Sequence, residues 1–294
     1  MRVILHIGPH KTGTTAIQSF MHLNARELAR MGVAYPEWVP GERNHHGFVH
    51  GLRTAGMFDA TVSRIREMLE AAASSGCGRF VLSSEMFVEH EVPIWALDEV
   101  FAGHEVSVLA YLRRPDDLLA SAYAQLVSDG ASRRSAPVDA DPPPYDASYS
   151  TVFPKWMQHF PPGRMVIAPF DPGQWPGGSL LLDFAGMIGV EATAGLVLED
   201  PRMDRNSRLP AVLVEIIRQA NALLPMTPEA HDRWVDRLQA MAERWPLLFP
   251  GGTGSPPPAL ARRCFDALGE HLGSYRPHFR AGFDESFLGC AVTG

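Results

Sequence analysis

Four short runs of apolar residues along the chain lack polar alternation. They are RVILHI (residues 2–7), FVLSS (80–84), VSVLAYL (106–112) and MVIAPF (165–170). Each run is rich in β-branched or aromatic residues, which is typical of parallel strands that are covered on both faces of a sheet. The pattern therefore predicts four buried parallel strands.

Between these runs the apolar positions recur with the period of an amphipathic helix. One helical segment begins at Thr14 and is expected to stop at Gly32, a second covers residues 61–73, and a third covers residues 115–130. The third opens on proline, carries two aspartates in its first turn and ends on glycine, as helices often do. The alternation of strand and helix predicts an α/β fold with a doubly wound parallel sheet and helices on both faces.

The last third of the chain is predicted to be helical. Its amphipathic segments are residues 210–224, 227–245 and 258–272. The second of them has Thr227 in the N-cap position and proline directly after it. We expect a single domain over residues 1–294, with an α/β core in 1–170 and a mostly helical C-terminal part in 171–294.

Composition and charge narrow the function classes. The net charge of −7 gives no overall attraction to nucleic acid. The three cysteines are far apart and follow no spacing typical of a disulfide framework or a zinc site. The first apolar run is too short for a secretory signal or a membrane-spanning helix. We expect a reduced, soluble, cytoplasmic protein with no bound metal, no nucleic-acid partner and no transmembrane segment.

The first predicted strand runs directly into the stretch LHIGPHKTGTTAI. A strand, a glycine-containing turn and a helix start direct several backbone N–H groups and a positive dipole toward one point, which suits a phosphate group. ATP-binding loops have the pattern GxxxxGK[ST], with lysine directly after the second glycine. Here Gly8 and Gly13 have that spacing, but Thr14 occupies the lysine position and Lys11 lies inside the loop. The pattern predicts an anion site, with a plain strand-to-helix turn as the alternative.

A second motif, YLRRPDDLLASAY, begins with the last two residues of the third apolar run. The strand brings Arg113 and Arg114 to its carboxyl end, where ligands of open α/β sheets bind, and Ser121 lies about two turns into the next helix. An arginine and a nearby hydroxyl are suited to a second phosphate. Alternatively, the arginine pair neutralises Asp116 and Asp117.

Together the two motifs resemble those of the P-loop sulfotransferases that use 3′-phosphoadenosine 5′-phosphosulfate (PAPS). HKTGTT is similar to the family's 5′-phosphosulfate loop, PKxGTT, and RRPDDLLASAY is similar to its 3′-phosphate motif, RxPxDxxxSxY. The resemblance covers residues 1–170 and is closer to bacterial and carbohydrate-type members. It implies a P-loop NTPase-like, nucleotide-binding core. It also implies that the 3′-phosphate is held by Arg113 and Ser121, and the 5′ end by Lys11, Thr12, Gly13, Thr14 and Thr15.

The resemblance also implies the reaction. A sulfuryl group would pass from PAPS to a hydroxyl of a saccharide or small metabolite by in-line displacement, with the bisphosphate PAP as product and no metal required. Charge develops on the bridging oxygen of the leaving group, where Lys11 can stabilise it. The alternative is a P-loop nucleotide or metabolite kinase that uses ATP and magnesium. A third possibility is a nucleotide-binding regulatory protein without turnover.

The acceptor hydroxyl must lose its proton to a general base. Glu85 is the first candidate because it directly follows a predicted central strand, at the carboxyl edge shared with Lys11. His10 in the loop and His46 after the first helix are the other candidates. The alternatives are a helix-capping role for Glu85 and a plain surface position for His46.

The acceptor pocket is expected in variable loops. They are residues 37–53, parts of the helical C-terminal region and the polar, proline-rich segment 128–150, which is either a flap or a disordered insert. The side chains that suit a sugar or an acidic acceptor there are Trp38, His45, His46, Arg133, Arg134 and Tyr145. The basic residues Arg202, Arg205 and Arg208 are predicted to be solvated charges before a helix; the alternative, suggested by the resemblance, is a basic segment that closes over the 3′-phosphate.

Overall fold

The computed structural model of the protein describes residues 1–89, 92–130, 149–191, 195–198, 209–245, 247–249 and 258–289. Within these ranges the chain divides into two compact units. The first unit takes its residues from Met1–Leu112, Thr151–Pro201 and Gly273–Glu285. The second takes its residues from Arg113–Ser150, Arg202–Leu272 and Ser286–Gly294. The expected boundary at residue 170 does not coincide with this division, because the chain passes between the units several times.

The first unit is built on a sheet in which all strand pairs are parallel. In chain order the strands are β1 (Arg2–His6), β2 (Val33–Ala34), β3 (Arg79–Ser83), β4 (Glu105–Leu112) and β5 (Met165–Pro169). The four long strands lie where the apolar runs predict them. The two-residue strand β2 was not predicted, because two residues are too short to show a pattern. The prediction of an α/β fold with a parallel sheet is confirmed.

The order of strands across the sheet is β2-β3-β1-β4-β5. The chain builds β2 and β3 on one side of β1, and then β4 and β5 on the other side, so the order reverses at β1. The last residue of β1, His6, is paired in register with Ser83 of β3 and Leu109 of β4. In open parallel sheets, ligands bind beyond the carboxyl ends of the strands at such a reversal. The residues that follow β1 therefore lie at the edge where a ligand is expected.

Twelve α-helices lie within the described residues. In chain order they are α1 (Thr14–Leu23), α2 (Ala25–Arg30), α3 (His46–Arg53), α4 (Phe58–Ser74), α5 (Met86–Glu89), α6 (Leu97–Val100), α7 (Pro115–Ser128), α8 (Phe153–His159), α9 (Leu180–Met187), α10 (Ala211–Leu223), α11 (Pro228–Arg244) and α12 (Pro258–Tyr275). The prediction of a mostly helical C-terminal region agrees with the last three.

The single helix expected after Thr14 is divided into α1 and α2 at Asn24. The side-chain amide of Asn24 donates to the carbonyl of Phe20 at 2.8 Å, and it exchanges two hydrogen bonds with the backbone of Val197 at 2.9 and 2.7 Å. These bonds satisfy a buried amide and end the first helix.

Successive residues of the central strand are all buried. Val3, Ile4 and Leu5 of β1 are at most 1% exposed, so both faces of the sheet are covered. On the face that includes Ile4, apolar residues of α1 and α9 pack against the sheet; they include Ile17, Phe20, Phe184 and Ala185. This packing fixes the position of α1, whose first turn follows the segment after β1.

The second unit has its own apolar cluster. Val127 of α7 packs with residues of α10 and α11, including Leu213, Ile217 and Val235. The predicted N-cap is confirmed, because the Thr227 hydroxyl accepts a hydrogen bond from the backbone N–H of Ala230. The side chain of Asn221 donates to the carbonyl of Val127 and bonds Nε2 of His231, both at 2.8 Å. Buried polar bonds thus link the three helices of this unit.

Some expectations concern residues outside the described ranges. These are most of the segment 128–150 and the side chains of Arg133, Arg134, Tyr145, Arg202, Arg205 and Arg208. Among the helices that the structure does describe, none combines the length and apolar character needed to span a membrane.

Candidate functional site

The segment between β1 and α1 forms a tight loop. Gly8, Lys11 and Gly13 have positive φ angles of 22°, 62° and 75°. At Gly13, a Cβ atom would overlap the side chain of Leu180, so both the backbone conformation and the packing require glycine. Lys11 adopts the left-handed region without being glycine, which costs about 1 kcal/mol. Such strain is typical of functional loops.

Thr12 closes the loop on itself. Its side chain is fully buried, and its Oγ1 donates to the carbonyl of Pro9 at 2.5 Å. The Thr12 hydroxyl therefore has a structural role within the loop. The prediction that Thr12 helps to hold the 5′ end of a donor therefore concerns its backbone N–H and not its hydroxyl.

Thr14 is the first residue of α1 and carries a buried hydroxyl. The residue is 6% exposed, and Oγ1 has no hydrogen-bond partner within the described part of the chain. A Cβ atom at Gly8 would overlap this oxygen, so glycine keeps the space beside it open. A buried hydroxyl without a partner costs about 1–3 kcal/mol. The hydroxyl lies at a helix N-terminus, where backbone N–H groups favour an anion, and this position is suited to a negatively charged ligand.

The other predicted loop residues differ in exposure. His10 and Lys11 are partly exposed, and Thr15 is exposed. The side chain of Lys11 is therefore partly exposed on the loop that leads into the buried Thr14 hydroxyl.

His6 lies directly beneath the loop and is not a base. The ring is fully buried, its Nδ1 bonds Ser83 Oγ at 2.8 Å, and its edges meet Tyr111 and Phe184. Burial lowers the pKa of His6 to about 3, so its imidazole is neutral at physiological pH. His6 supports the loop from below.

Glu85 belongs to a cluster of polar side chains that we call the Glu85 cluster: Gln18, His46, Ser84 and Glu85. Gln18 Nε2 donates to Glu85 Oε2 at 3.1 Å, and His46 Nε2 lies 3.8 Å from Glu85 Oε1. The structure thus brings together two of the predicted base candidates. Sequence reasoning missed Gln18. The signal for it was an amide four residues after Thr14, one turn further along the predicted helix.

Ser84 orients the histidine of this cluster. Its Oγ accepts the backbone N–H of Met86 at 3.1 Å and bonds His46 Nδ1 at 2.7 Å. When the hydroxyl proton is donated to Nδ1, the ring proton is on Nε2, which faces Glu85. A serine, a histidine and a carboxylate are adjacent here, but Ser84 is completely buried. It therefore serves to hold His46 and not as a nucleophile.

His45 and Trp38 do not line a pocket as expected. Nε2 of His45 bonds the carbonyl of Pro36 at 2.9 Å, and Nδ1 accepts the backbone N–H of Ser83 at 3.1 Å, which selects one tautomer. Burial lowers the pKa of His45 to about 4. The Trp38 ring is buried against Phe48. Both side chains are structural, and they hold the segment before α3 against β3.

Helix α1 carries a residue of both the loop and the Glu85 cluster. Thr14 and Gln18 are four residues apart, which is about one turn, or roughly 6 Å of rise. The rigid helix α1 therefore fixes the separation between the Thr14 hydroxyl and the Gln18 amide that binds the Glu85 carboxylate.

The predicted phosphate-binding residues Arg113 and Ser121 lie in the second unit. Arg113 follows β4 directly, is 3% exposed, and its backbone N–H donates to the hydroxyl of Tyr149 at 3.0 Å. Ser121 is partly exposed on α7, on the second turn after Pro115. Both residues have the eight-residue separation and the strand–helix context that the second motif predicts.

Arg114 has a different role. Its guanidinium binds both carboxylate oxygens of Asp116, at 2.9 and 2.8 Å, and lies over the ring of Phe265. Burial acts to raise the pKa of Asp116, but the hydrogen bonds and charge of Arg114 outweigh it, so the pKa is lowered. The alternative interpretation of the arginine motif as a charge-neutralising pair thus describes Arg114 and Asp116.

No three His, Cys, Asp or Glu side chains are grouped as a metal site in the ranges that the structure describes. Cys77 and Cys264 are buried, and they are not joined in a disulfide.

Comparison with known proteins gives a single weak relationship. The chain is 26% identical over 155 residues to a protein of Archaeoglobus fulgidus that is named only "Uncharacterized protein". The match covers 52% of this chain and 41% of the relative, so the chain spans less than half the length of that protein. No protein-family profile and no solved structure matches the chain.

Proposed function

We propose that the protein is a PAPS-dependent sulfotransferase with a P-loop NTPase-like core, and that it acts on a hydroxyl of a saccharide or small metabolite. The observation that carries the proposal is the arrangement on α1. A buried, unpartnered hydroxyl and a helix N-terminus suit an anion, and one turn further the same helix binds a carboxylate that can act as a base.

The loop residues would bind the 5′ end of the donor. Lys11 supplies a positive charge, Thr14 a hydroxyl, and the first turn of α1 supplies backbone N–H groups. In the reaction the acceptor oxygen bonds to sulfur, and the sulfur–oxygen bond to the nucleotide breaks. The leaving oxygen keeps the electron pair, and Lys11 stabilises that charge. The sulfuryl donor PAPS supplies the group transferred; no metal is required for this step.

Glu85 is the proposed base. Its carboxylate accepts a hydrogen bond from Gln18 of α1, and it would take the proton of the acceptor hydroxyl as the new bond forms. His46 Nε2 lies 3.8 Å from its other oxygen. The buried histidines His6 and His45 are unsuited to this role, because burial holds their pKa values at about 3 and 4 and their rings are buried.

Arg113 and Ser121 are proposed to bind the 3′-phosphate of the donor. The support is the resemblance of the second motif, together with the burial of Arg113, which directly follows β4 and is 3% exposed. A buried arginine following a strand is suited to a phosphate in a way that a solvated one is not.

The proposal is tested by thermal denaturation of the purified protein with the bisphosphate PAP, and separately with ATP and magnesium. We expect PAP to raise the melting temperature and Arg113→Ala to abolish this shift. The control is Arg218→Ala, which removes another largely buried arginine, paired with Glu215 on α10, and should keep the shift. Stabilisation by ATP with magnesium and none by PAP would instead support a kinase.

Transfer itself is measured with labelled PAPS and a panel of saccharides and small hydroxyl compounds. We expect Glu85→Gln to retain PAP binding within about twofold and to lose about 100-fold or more in transfer rate, in the range for removal of a general base. Unchanged turnover in this variant would reject Glu85 as the base.

A further inference from the structure

Gln18 is a buried amide with a specific partner. It is 5% exposed, and its Nε2 donates to Glu85 Oε2 at 3.1 Å and lies 3.4 Å from the carbonyl oxygen of Ser83. Burying an amide is unfavourable unless it is hydrogen-bonded. Here the two N–H groups of the amide have two acceptors, one on the carboxylate and one at the end of β3. The amide is therefore held in place and in turn holds one oxygen of Glu85.

The two oxygens of Glu85 have different surroundings. Oε2 is bound by Gln18 from α1, and Oε1 faces His46 from α3 at 3.8 Å. Another titratable group nearby is Tyr35, which follows β2. Burial raises the pKa of Tyr35 well above its usual value, and the charge of Glu85 adds to the increase, so Tyr35 stays neutral. The side chain of Glu85 is 24% exposed, so an acceptor can reach it.

Rotation of this carboxylate would change which oxygen meets an acceptor. A carboxylate held at one oxygen by a buried donor has a restricted side-chain torsion, and its second oxygen keeps a fixed direction. Because Gln18 is on the same helix as Thr14, that direction is also fixed relative to the loop. A positioned base is worth more than a free one, since a misplacement of 1 Å can lower a rate by about 100-fold.

We propose that Gln18 is a positioning residue of the transfer reaction: it holds Glu85 Oε2, so that Oε1, beside His46, is the oxygen that receives the acceptor proton. This inference rests on the proposed sulfotransferase function. In the step, the acceptor oxygen forms a bond to sulfur, the nucleotide oxygen leaves with its electron pair, and the proton passes to Oε1.

The first test is the separation of rate from donor binding. We expect Gln18→Leu to lower kcat by about 10-fold or more, while the PAP dissociation constant and the KM for the donor change by less than about twofold, because the loop is untouched. Gln18→Glu, which keeps the shape, is the second variant in case the leucine variant does not fold. The matched control is Ser19→Ala. Ser19 is the next residue on α1, is also buried, and its hydroxyl accepts from Arg43 at 2.6 Å.

The second test asks whether Gln18 acts through Glu85. In a double-mutant cycle, Gln18→Leu should lower the rate of the wild type but have no further effect in the Glu85→Gln background, because the group that it positions is already absent. A packing defect would lower the rate equally in both backgrounds.

The third test is the pH profile. Gln18→Glu places a second carboxylate at hydrogen-bonding distance from Glu85, and like charges this close oppose joint ionisation. The acid limb of the rate profile should then move to higher pH by about one unit, while Ser19→Ala leaves it in place.

The outcomes distinguish this inference from the function on which it rests. Suppose that the wild type transfers sulfuryl groups, that the effects of the two single substitutions on the rate multiply in the double variant, and that the acid limb of the pH profile does not move. Gln18 then has no positioning role, and the sulfotransferase proposal stands. If the wild type transfers to no hydroxyl acceptor, the proposed function fails, and the role of Gln18 in transfer fails with it.

Discussion

Replacing Thr14 by valine should affect stability and binding in opposite directions. Oγ1 of Thr14 is buried and has no partner among the described residues, so the folded protein without ligand bears its desolvation cost. Valine exchanges this hydroxyl for a methyl group of similar size. From the low end of the 1–3 kcal/mol cost of such a group, Thr14→Val should raise the free energy of unfolding by about 1 kcal/mol. For a chain of this length, the melting temperature rises by about 2 °C.

The same change should weaken anion binding. A hydrogen bond to a charged ligand is worth about 1.5–3 kcal/mol, which corresponds to a roughly 10- to 100-fold change in dissociation constant. Thr14→Val should therefore bind PAP at least about 10-fold more weakly than the wild type. Stability is measured by denaturant unfolding without ligand, and affinity by isothermal titration with PAP.

Thr12→Val is the matched control for this prediction. Thr12 is also buried in the loop, but its Oγ1 donates to the carbonyl of Pro9. Valine at this position leaves that carbonyl unpaired and should lower the free energy of unfolding by about 1–3 kcal/mol. A Thr14→Val protein that is less stable than the wild type, or that binds PAP equally well, would refute the reasoning about an open hydroxyl.

The remaining predictions concern the frame around the site. Gly13→Ala should lower the free energy of unfolding by about 2 kcal/mol or more, because the new Cβ meets Leu180; Gly41→Ala, which has a similar positive φ and open space, should cost only about 1 kcal/mol, and equal costs in denaturant melts would show that packing is irrelevant. Burial sets the pKa of His6 at about 3 in the folded protein, compared with 6.5 in the unfolded chain. The unfolded state therefore binds more protons between these two pH values. His6 contributes stability that is present above pH 6.5 and is lost as pH falls toward 3. His6→Gln should reduce the slope of unfolding free energy against pH by about 1.4 kcal/mol per unit in this window, and an unchanged slope would place the shift elsewhere. Asp183→Asn removes the buried carboxylate that pairs with the partly buried guanidinium of Arg280 and should cost about 3 kcal/mol in the same melts; a loss under 1 kcal/mol would mean that the pair is solvated.

The sequence predicted the sheet because its strands are buried on both faces. A strand such as β1, with Val3, Ile4 and Leu5 all inside, shows a continuous apolar run that marks its position. The end of α1 at Asn24 could not be predicted in this way. Its side chain ends the helix by bonding Val197, a residue 173 positions later, and no local pattern records such a partner.

The site was predictable to the extent that it follows from local geometry. The loop after β1 is a contiguous motif, so its glycines and hydroxyls were visible in the chain. The Glu85 cluster is assembled from three separate segments, and only the fold shows that Gln18 reaches the carboxylate. His45 and His46 are adjacent and of the same residue type, yet His45 is buried and bonds the carbonyl of Pro36, whereas His46 faces Glu85. Which of two neighbours points inward is decided by tertiary packing.

The bond from Thr12 to Pro9 has a consequence for the energetics of binding. Ordering a flexible backbone costs about 1–2 kcal/mol of conformational entropy per residue. The loop is already closed by its own hydrogen bond and by Gly8 and Gly13, which adopt positive φ angles without steric strain. Binding of a ligand therefore does not carry this entropic cost. Most of the interaction free energy with an anion is then available as affinity, and binding should proceed as a rigid-body encounter with only a small change in heat capacity.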